Sequence, residues 1–122
     1  MKEWKPAAQA GDAKSQFRLG CLYTHGQGVE ADPDAALRWY REAAEQGDAD
    51  AQNNLGGHYA EGLGVEQDYV TAYMWFRLAV RGNHEVAMRN LEFVRGRMTE
   101  EQVGEAEDLA RDWLESHPVP TD

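Results

Sequence analysis

The chain has 122 residues, 42% of them hydrophobic, and a formal net charge of −10 at pH 7. This length allows one domain with a continuous core, and no apolar run approaches the roughly 18 residues of a membrane-spanning helix. The negative charge disfavours nucleic acid and anionic membranes as partners, because both repel an acidic surface. A negative charge of this size is more typical of a solvated surface than of a binding site for a basic partner.

Cysteine usage and the N-terminal residues leave the compartment open. Cys21 is the single cysteine, so no internal disulfide forms, which fits the cytoplasm without excluding an oxidising compartment. The sequence as given carries no signal-peptide pattern. We therefore expect a cytoplasmic location for the sequence as given, and a periplasmic or secreted one if an upstream signal has been removed.

An internal repeat organises the chain. Residues 8–43 align with residues 44–79, and 17 of the 36 positions are identical. A fixed period of this size is typical of stacked units, none of which buries its apolar face alone. The alignment predicts the end of a truncated preceding repeat over 1–10, repeat 1 over 11–46 and repeat 2 over 47–82.

Two helices are predicted in each repeat. Each is preceded by an aspartate whose side chain caps the free N–H groups of the first turn: Asp12, Asp32, Asp48 and Asp68. The predicted helices span 13–24, 33–46, 49–61 and 69–81. Gly20 and Gly56 lie inside first helices, where glycine costs about 1 kcal/mol relative to alanine, so a neighbouring helix is expected to approach closely there.

The loops and second helices have repeated apolar positions. The loops Gly26-Gln27-Gly28-Val29 and Gly62-Leu63-Gly64-Val65 do not indicate a phosphate site, because no strand precedes them and no Lys-Ser/Thr pair follows. Their valines are expected to tuck beneath the helices. The second helices are expected to bury Ala36, Trp39, Tyr40 and Ala43, and Ala72, Trp75, Phe76 and Ala79. We favour a core over an aromatic ligand cage for these residues.

A third unit begins and then diverges. Asn83 is expected to cap the first helix of a third repeat, predicted over 84–97 within the segment 83–98. Thr99 and Gln102 form a capping box for a capping helix within 99–116, expected to bury Val103, Ala106, Ala110, Trp113 and Leu114. Its acidic outer face would keep the end of the array soluble, and residues 117–122 are expected to form a disordered tail.

The repeated motif Gly-Asp-Ala-x-x-x-Gln-x-x-Leu-Gly-x-x-Tyr-x-x-Gly-x-Gly-Val-x-x-Asp-x-x-x-Ala-x-x-Trp resembles that of the Sel-one-like repeat family (SLR), a branch of the tetratricopeptide-like helical solenoids. The resemblance covers about residues 4–91, and the ending looks like the C-terminal cap of bacterial members. It implies an all-α fold, a right-handed α/α superhelix of about two and a half repeats plus a capping helix, with the first helices lining a concave face. It also implies adaptor or scaffold roles in bacterial signalling, envelope processes or host contact, without identifying a partner.

Catalytic and metal-binding patterns are weak. Ser15 and Ser116 are the only serines, and Ser15-Gln16-Phe17-Arg18 does not match the Ser-x-x-Lys motif of β-lactam-acylating enzymes. The cysteine-rich branch of the family, which has been associated with β-lactam binding, carries a cysteine pair in each repeat that this chain lacks. The four histidines share no metal-ligand spacing. We predict no catalytic residue, no metal site and no cofactor.

The helical period predicts which residues of the first helices face away from the core. On the concave face they would form a partner-binding surface: Lys14, Phe17, Arg18, Cys21, Asp50, Asn53, Asn54, Gly57, Arg89, Asn90 and Phe93. Phe17 and Phe93 would flank a shallow centre at Gly57 and anchor an extended peptide. The alternative is that these two rings pack against the capping helix and against an upstream helix, which the truncated preceding repeat is expected to lack.

The sequence favours a non-enzymatic scaffold that binds a protein or peptide, with no nucleic acid and no membrane insertion. Two alternatives remain open. One is a module that stacks through its exposed repeat ends, so that the chain is a monomer or a weak homo-oligomer. The other is a β-lactam- or peptidoglycan-related hydrolase.

Overall fold

The computed structural model describes residues 8–117, which form six α-helices and no strand. The helices are α1 (Ala13–His25), α2 (Pro33–Glu45), α3 (Ala49–Glu61), α4 (Tyr69–Val80), α5 (Glu85–Arg95) and α6 (Glu100–Ser116). The bounds predicted from the sequence agree to within two residues at every end. The fold is an all-α solenoid in which α1 packs on α2, α2 on α3, α3 on α4, and α4 on both α5 and α6.

The predicted helix starts of the two repeats are confirmed. Asp12 and Asp48 accept hydrogen bonds from the backbone N–H groups of Ser15 and Ala51, three residues into the first helices. Asp32 and Asp68 cap the second helices in the same way. Each such cap stabilises its helix by about 1 kcal/mol, so these four residues define where the helices begin.

The third unit starts one residue later than predicted. Asn83 is not the N-cap of α5: the cap is His84, whose Nδ1 accepts from the backbone N–H of Ala87 at 3.1 Å. Asn83 has a φ of 61° and so corresponds to Gly47, with its φ of 95°. Asparagine tolerates this left-handed conformation, and the following residue is left to cap the helix.

Close helix packing at the two helical glycines is also confirmed. A Cβ atom at Gly20 would lie 2.5 Å from a ring carbon of Tyr40, and one at Gly56 would lie 2.7 Å from a ring carbon of Phe76. No real Cβ makes such contacts, so the aromatic rings of the second helices lie directly against the backbone of the first helices.

Buried glutamines join one repeat to the next. Gln16 donates from its side-chain amide to the carbonyl of Ala8 at 3.0 Å, and Gln52 donates to the carbonyl of Ala44 at 3.2 Å. Both glutamines are almost completely buried. Each satisfies a carbonyl at the end of the preceding helical segment, which a buried helix end requires.

The two equivalent tryptophans differ in burial. Trp75 is 2% exposed, in a cluster with α2, α3 and α6, as predicted. The prediction of a fully buried Trp39 is wrong, because its side chain is only half-buried. Helix α6 packs over α4 beside Trp75, and no helix in the described part of the chain does so for Trp39.

Helix α6 caps the array with a narrower apolar stripe than predicted. Its capping box of Thr99 and Gln102 is present. Ala106 and Ala110 are buried, whereas the larger side chains of the predicted stripe are half-buried: Val103, Trp113 and Leu114. The predicted acidic face is exposed to solvent throughout: Glu101, Glu105, Asp108, Asp112 and Glu115.

The expected tail does not begin at His117. The His117 ring stacks on Trp113 with centroids 4.0 Å apart and planes 5° apart. Its Nε2 lies 2.8 Å from a carboxylate oxygen of Glu45, at the end of α2. His117 therefore fastens the end of α6 to repeat 1, and the rest of the predicted tail, residues 118–122, lies outside the described residues.

Candidate functional site

The first helices α1, α3 and α5 are joined by polar contacts centred on α3. Lys14 Nζ on α1 lies 2.9 Å from Asp48 Oδ2 and 3.2 Å from Asp50 Oδ2. On the other side, Asn90 of α5 donates to Asn53 Oδ1 at 2.9 Å. Four of the predicted partner-binding residues thus make polar contacts between the first helices of three successive units, Lys14 with Asp50 and Asn53 with Asn90.

Charge pairing shifts the pKa values of two of these groups, Lys14 and Asp50. The hydrogen bond to Asp48 raises the pKa of Lys14, although partial burial opposes the shift. Burial tends to raise the pKa of Asp50, but the Lys14 ammonium and His84 outweigh it, so the pKa of Asp50 is lowered. Asp50 is therefore an ionised carboxylate held between two helices.

His84 occupies a single tautomer in this arrangement. Its Nδ1 accepts the N–H of Ala87, so that nitrogen carries no proton in the neutral ring. Its Nε2 then donates to Asp50 Oδ1 at 2.8 Å. The same ring both begins α5 and ties it to α3.

A cavity of about 280 Å³ opens between these helices. Four predicted site positions contribute to its lining, which comprises Thr24, His25, Tyr40, Asn53, Asn54, Gly57, His58, Glu61, Leu63 and Asn90. A Cβ atom at Gly57 would meet nothing within 4 Å, so the glycine leaves open space as expected. Asn53 is 9% exposed, which places it at the bottom of the cavity rather than on an open surface.

The wall of this cavity includes two groups that the sequence did not assign to a site. The Tyr40 hydroxyl lies 3.0 Å from Thr24 Oγ1, and burial raises the pKa of Tyr40 to about 12. His58 is buried, with Nδ1 2.9 Å from the carbonyl oxygen of Leu63. The signal available in the sequence was that His58 departs from the repeat, where Leu22 is its equivalent.

The two predicted aromatic anchors lie elsewhere. Phe17 is half-buried and packs within its own repeat, its ring centroid 5.8 Å from that of Tyr40. Phe93 is 55% exposed and carries the Arg97 guanidinium 4.0 Å above its ring. Neither belongs to the described lining of the cavity, so the structure does not bring the two rings together around Gly57.

The remaining predicted residues have different environments. Cys21 is half-buried, and its Sγ accepts the Tyr40 hydroxyl at 3.5 Å. Arg18 and Arg89 are exposed on α1 and α5. The two arginines are accessible to a partner, whereas the thiol is turned toward the second helix.

Within residues 8–117, no three histidine, cysteine, aspartate or glutamate side chains are grouped to hold a metal ion. No described helix is long and apolar enough to cross a membrane.

Two solved structures resemble the chain closely. One is c5321, described as a protective antigen present in uropathogenic Escherichia coli strains that displays an SLR fold; it is 37% identical with a TM-score of 0.88 over 93% of this chain. The other is a Sel1 repeat protein from Oxalobacter formigenes, 36% identical with a TM-score of 0.73 over 75% of this chain. The aligned regions cover 25% and 26% of those proteins, so the chain spans about a quarter of their length.

The family comparison gives the same result. The Sel1 repeat model matches residues 13–48 and 49–84, two adjoining units of the period found in the sequence. Sel1 repeats form a helical repeat fold generally used for protein–protein interaction, and the family is typically a non-catalytic scaffold. The matched repeats extend over more than half of the chain, and the chain belongs to the Sel1 repeat family.

Proposed function

We propose that this chain is a non-enzymatic scaffold that binds an extended protein or peptide segment across α1, α3 and α5. The observation that carries the proposal is the cavity lined by Asn53, Asn54 and Asn90. An asparagine amide both donates and accepts hydrogen bonds, as does each peptide unit of a partner backbone. Side chains of this type, repeated along adjacent helices, suit a segment that crosses the array.

Exposed groups on α5, the helix that also carries Asn90, support the proposal. Phe93 offers an exposed aromatic surface on α5, and Arg89 is exposed on the same helix. Aromatic and arginine side chains contribute most of the binding energy in many interfaces. Phe93 and Arg89 would provide the energy of binding, while the asparagines orient the partner backbone.

The protonation and hydrogen bonds of the reactive groups favour binding over catalysis. Tyr40, with its pKa near 12, is neutral at physiological pH and acts as a hydrogen-bond donor. The Ser15 hydroxyl is buried and hydrogen-bonded to Asp12, the N-cap of its own helix. A serine nucleophile requires access to substrate as well as an adjacent general base, and the buried Ser15 hydroxyl lacks that access.

The test is a peptide-binding screen followed by titration of variants. We expect Phe93→Ala and Arg89→Ala to weaken a selected peptide by about tenfold each, because both side chains are exposed and their removal leaves the fold intact. Leu109→Ala, an exposed apolar residue on α6, is the matched control and should change the affinity less than about twofold. Equal affinities for all four proteins would reject the concave site.

Asn53 requires a separate variant because it is buried against Asn90. Asn53→Ala should weaken binding, and circular dichroism and thermal unfolding must show that the helices remain folded. Phe17→Ala tests the alternative position of the anchor on α1. A peptide that loses affinity with Phe17→Ala but not with Phe93→Ala would move the binding surface toward repeat 1.

A further inference from the structure

A second concave site lies away from the asparagines, beside the half-buried Trp39. It is a groove of about 410 Å³ between α2 and the start of repeat 1, and we call it the Trp39 groove. The apolar and buried part of its lining consists of Trp39, Ala8 and Gln16. The exposed side chains of Arg38 and Glu42 add charge. The Trp39 groove shares no described lining residue with the asparagine-lined cavity.

Repeat 2 has an equivalent groove, and the end of α6 occupies it. Thirty-six positions later, Trp75, Gln52 and Gly47 take the places of Trp39, Gln16 and Gly11. There the end of α6 covers the equivalent surface: Trp113 packs edge to face on Trp75, with ring centroids 6.0 Å apart and planes at 71°. The second groove is reduced to a cavity of about 210 Å³, lined in part by Trp113 and Leu114.

The contact at the end of α6 follows the same correspondence. Glu45, which pairs with His117, stands at the position that Gln9 holds in the Trp39 groove. Trp75 is 2% exposed beneath this helix end, whereas Trp39 is half-buried. The difference between the two tryptophans is the presence of the covering helix.

We propose that the Trp39 groove binds an amphipathic helix of a partner protein that presents a tryptophan followed by a leucine, as α6 presents Trp113 and Leu114. Two substitutions between the repeats define the chemistry of this partner. Arg38 and Glu42 stand where repeat 2 has Met74 and Leu78. The partner's apolar pair is therefore bordered by polar or charged residues.

Glu42 is the reason for proposing a tryptophan, rather than another aromatic residue, in the partner helix. The Nε1 of Trp113 is buried and has no hydrogen-bond partner in the described structure. Leu78 shares that cavity with Trp113 and offers no acceptor. In the Trp39 groove the equivalent residue is Glu42, whose carboxylate would accept the N–H of a docked indole, and charge-assisted bonds of this kind are strong.

The probe for this groove is a peptide with the sequence of residues 99–117 of this chain. It is cyclised by a lactam between Glu101 and a lysine introduced by Glu105→Lys, four residues apart on the exposed acidic face. The lactam prepares the helix for binding and so reduces the entropic cost of association. The peptide is titrated into the isotopically labelled full chain, and the tryptophan indole N–H signals are followed by NMR.

We expect the Trp39 indole signal to shift while that of Trp75 remains in place. Trp39→Ala should weaken the peptide by about tenfold or more, as for a central aromatic contact. Met88→Ala, an exposed apolar residue on α5, is the matched control and should leave the affinity unchanged. Absence of binding at about 1 mM peptide, or equal affinity for Trp39→Ala, would overturn the proposal.

A second pair of measurements tests the role of Glu42 without disturbing the core. Glu42→Leu should reduce the preference of the groove for the tryptophan peptide over its Trp113→Phe analogue, because the acceptor is removed. An unchanged preference would refute the indole–carboxylate contact.

The same titration distinguishes a partner helix from two alternative occupants of the groove. Trp4 is the tryptophan among the first residues of the sequence. Binding that appears only when Trp4 is replaced by alanine would mean that these residues occupy the groove. Concentration-dependent dimerisation that the peptide inhibits would mean that a second copy does. Either result would overturn a partner helix as the occupant.

Discussion

A Cβ atom placed on Gly56 would lie 2.7 Å from Cδ1 of Phe76, and Phe76 is itself buried. The ring has no free space into which it could withdraw, because protein interiors are close-packed. We predict that Gly56→Ala lowers the free energy of unfolding by about 1–3 kcal/mol, the usual cost of overpacking. Urea denaturation measures the change.

The adjacent glycine provides the control. Gly57 is in the same helix, and its added Cβ would meet nothing within 4 Å. Gly57→Ala should therefore stabilise the protein by about 0.5–1 kcal/mol through helix propensity alone. If both variants are stabilised, the contact between α3 and Phe76 is looser than the 2.7 Å approach indicates.

The two repeat-matched tryptophans should respond differently to truncation. Trp75→Ala removes a fully buried ring and should cost about 3–5 kcal/mol. Trp39→Ala removes a half-buried ring and should cost less, about 1–2 kcal/mol. Thermal unfolding of the two variants side by side measures the difference, and equal losses would contradict the covering of Trp75 by α6.

Removal of α6 should expose the surface of α4 that it covers. A chain ending at Met98 loses Ala106, Ala110 and Trp113, which pack against the two cores. We expect this truncation to bind a hydrophobic dye and to aggregate on heating, because a terminal unit must present a polar outer face. A chain ending at His117 keeps every described contact of α6 and is the control. A soluble, monomeric and fully helical protein ending at Met98 would be incompatible with a capping role.

The hydrogen bonds of His84 predict its tautomer. Long-range ¹⁵N–¹H correlation spectra at neutral pH should show the proton on Nε2, because Nδ1 accepts the N–H of Ala87. His84→Ala should lower the stability by about 0.5–2 kcal/mol through loss of the cap, and His84→Asp should recover part of the loss, since aspartate caps the other repeats. A spectrum with the proton on Nδ1 would exclude His84 as the cap.

Asp50 should contribute to stability in a defined pH range. Its pKa is lowered in the folded protein, so the folded state binds fewer protons than the unfolded state near the ordinary value of 3.8. The contribution is fully present above that value and is lost as the pH falls below it through the folded pKa. The stability difference between the parent and Asp50→Asn should therefore shrink as the pH falls below 3.8. A difference that grows on acidification would have the wrong sign.

Helix bounds and caps could be predicted from the sequence because they depend on residues close together in the chain. Asp32 caps the N–H groups of Asp34 and Ala35, two and three residues away. The close approach of α2 to Gly20 could also be predicted, because glycine inside a helix lowers helix stability and close packing explains its presence. Comparison of two repeats made each of these signals visible twice.

The errors arose where the repeat ends. The residue type of Asn83 suits a helix cap, but its backbone has the left-handed conformation of Gly47, so the prediction of a cap at Asn83 is wrong. Trp39 and Trp75 occupy equivalent positions in the alignment, but their burial differs because α6 packs over Trp75. The contribution of Tyr40 and His58 to the cavity wall could not be predicted in this way, because the wall comes from three units and no single period contains it.

The contact between His117 and Glu45 joins residues 72 positions apart. Most other helix contacts join neighbouring units, so the stability of such an array is close to a sum of terms for single units and for adjacent pairs. The contact of His117 with Glu45 adds a term between units that are not neighbours, because it holds the end of α6 against α2. During synthesis, α2 leaves the ribosome well before His117 does, so this contact forms only after α6 has been made.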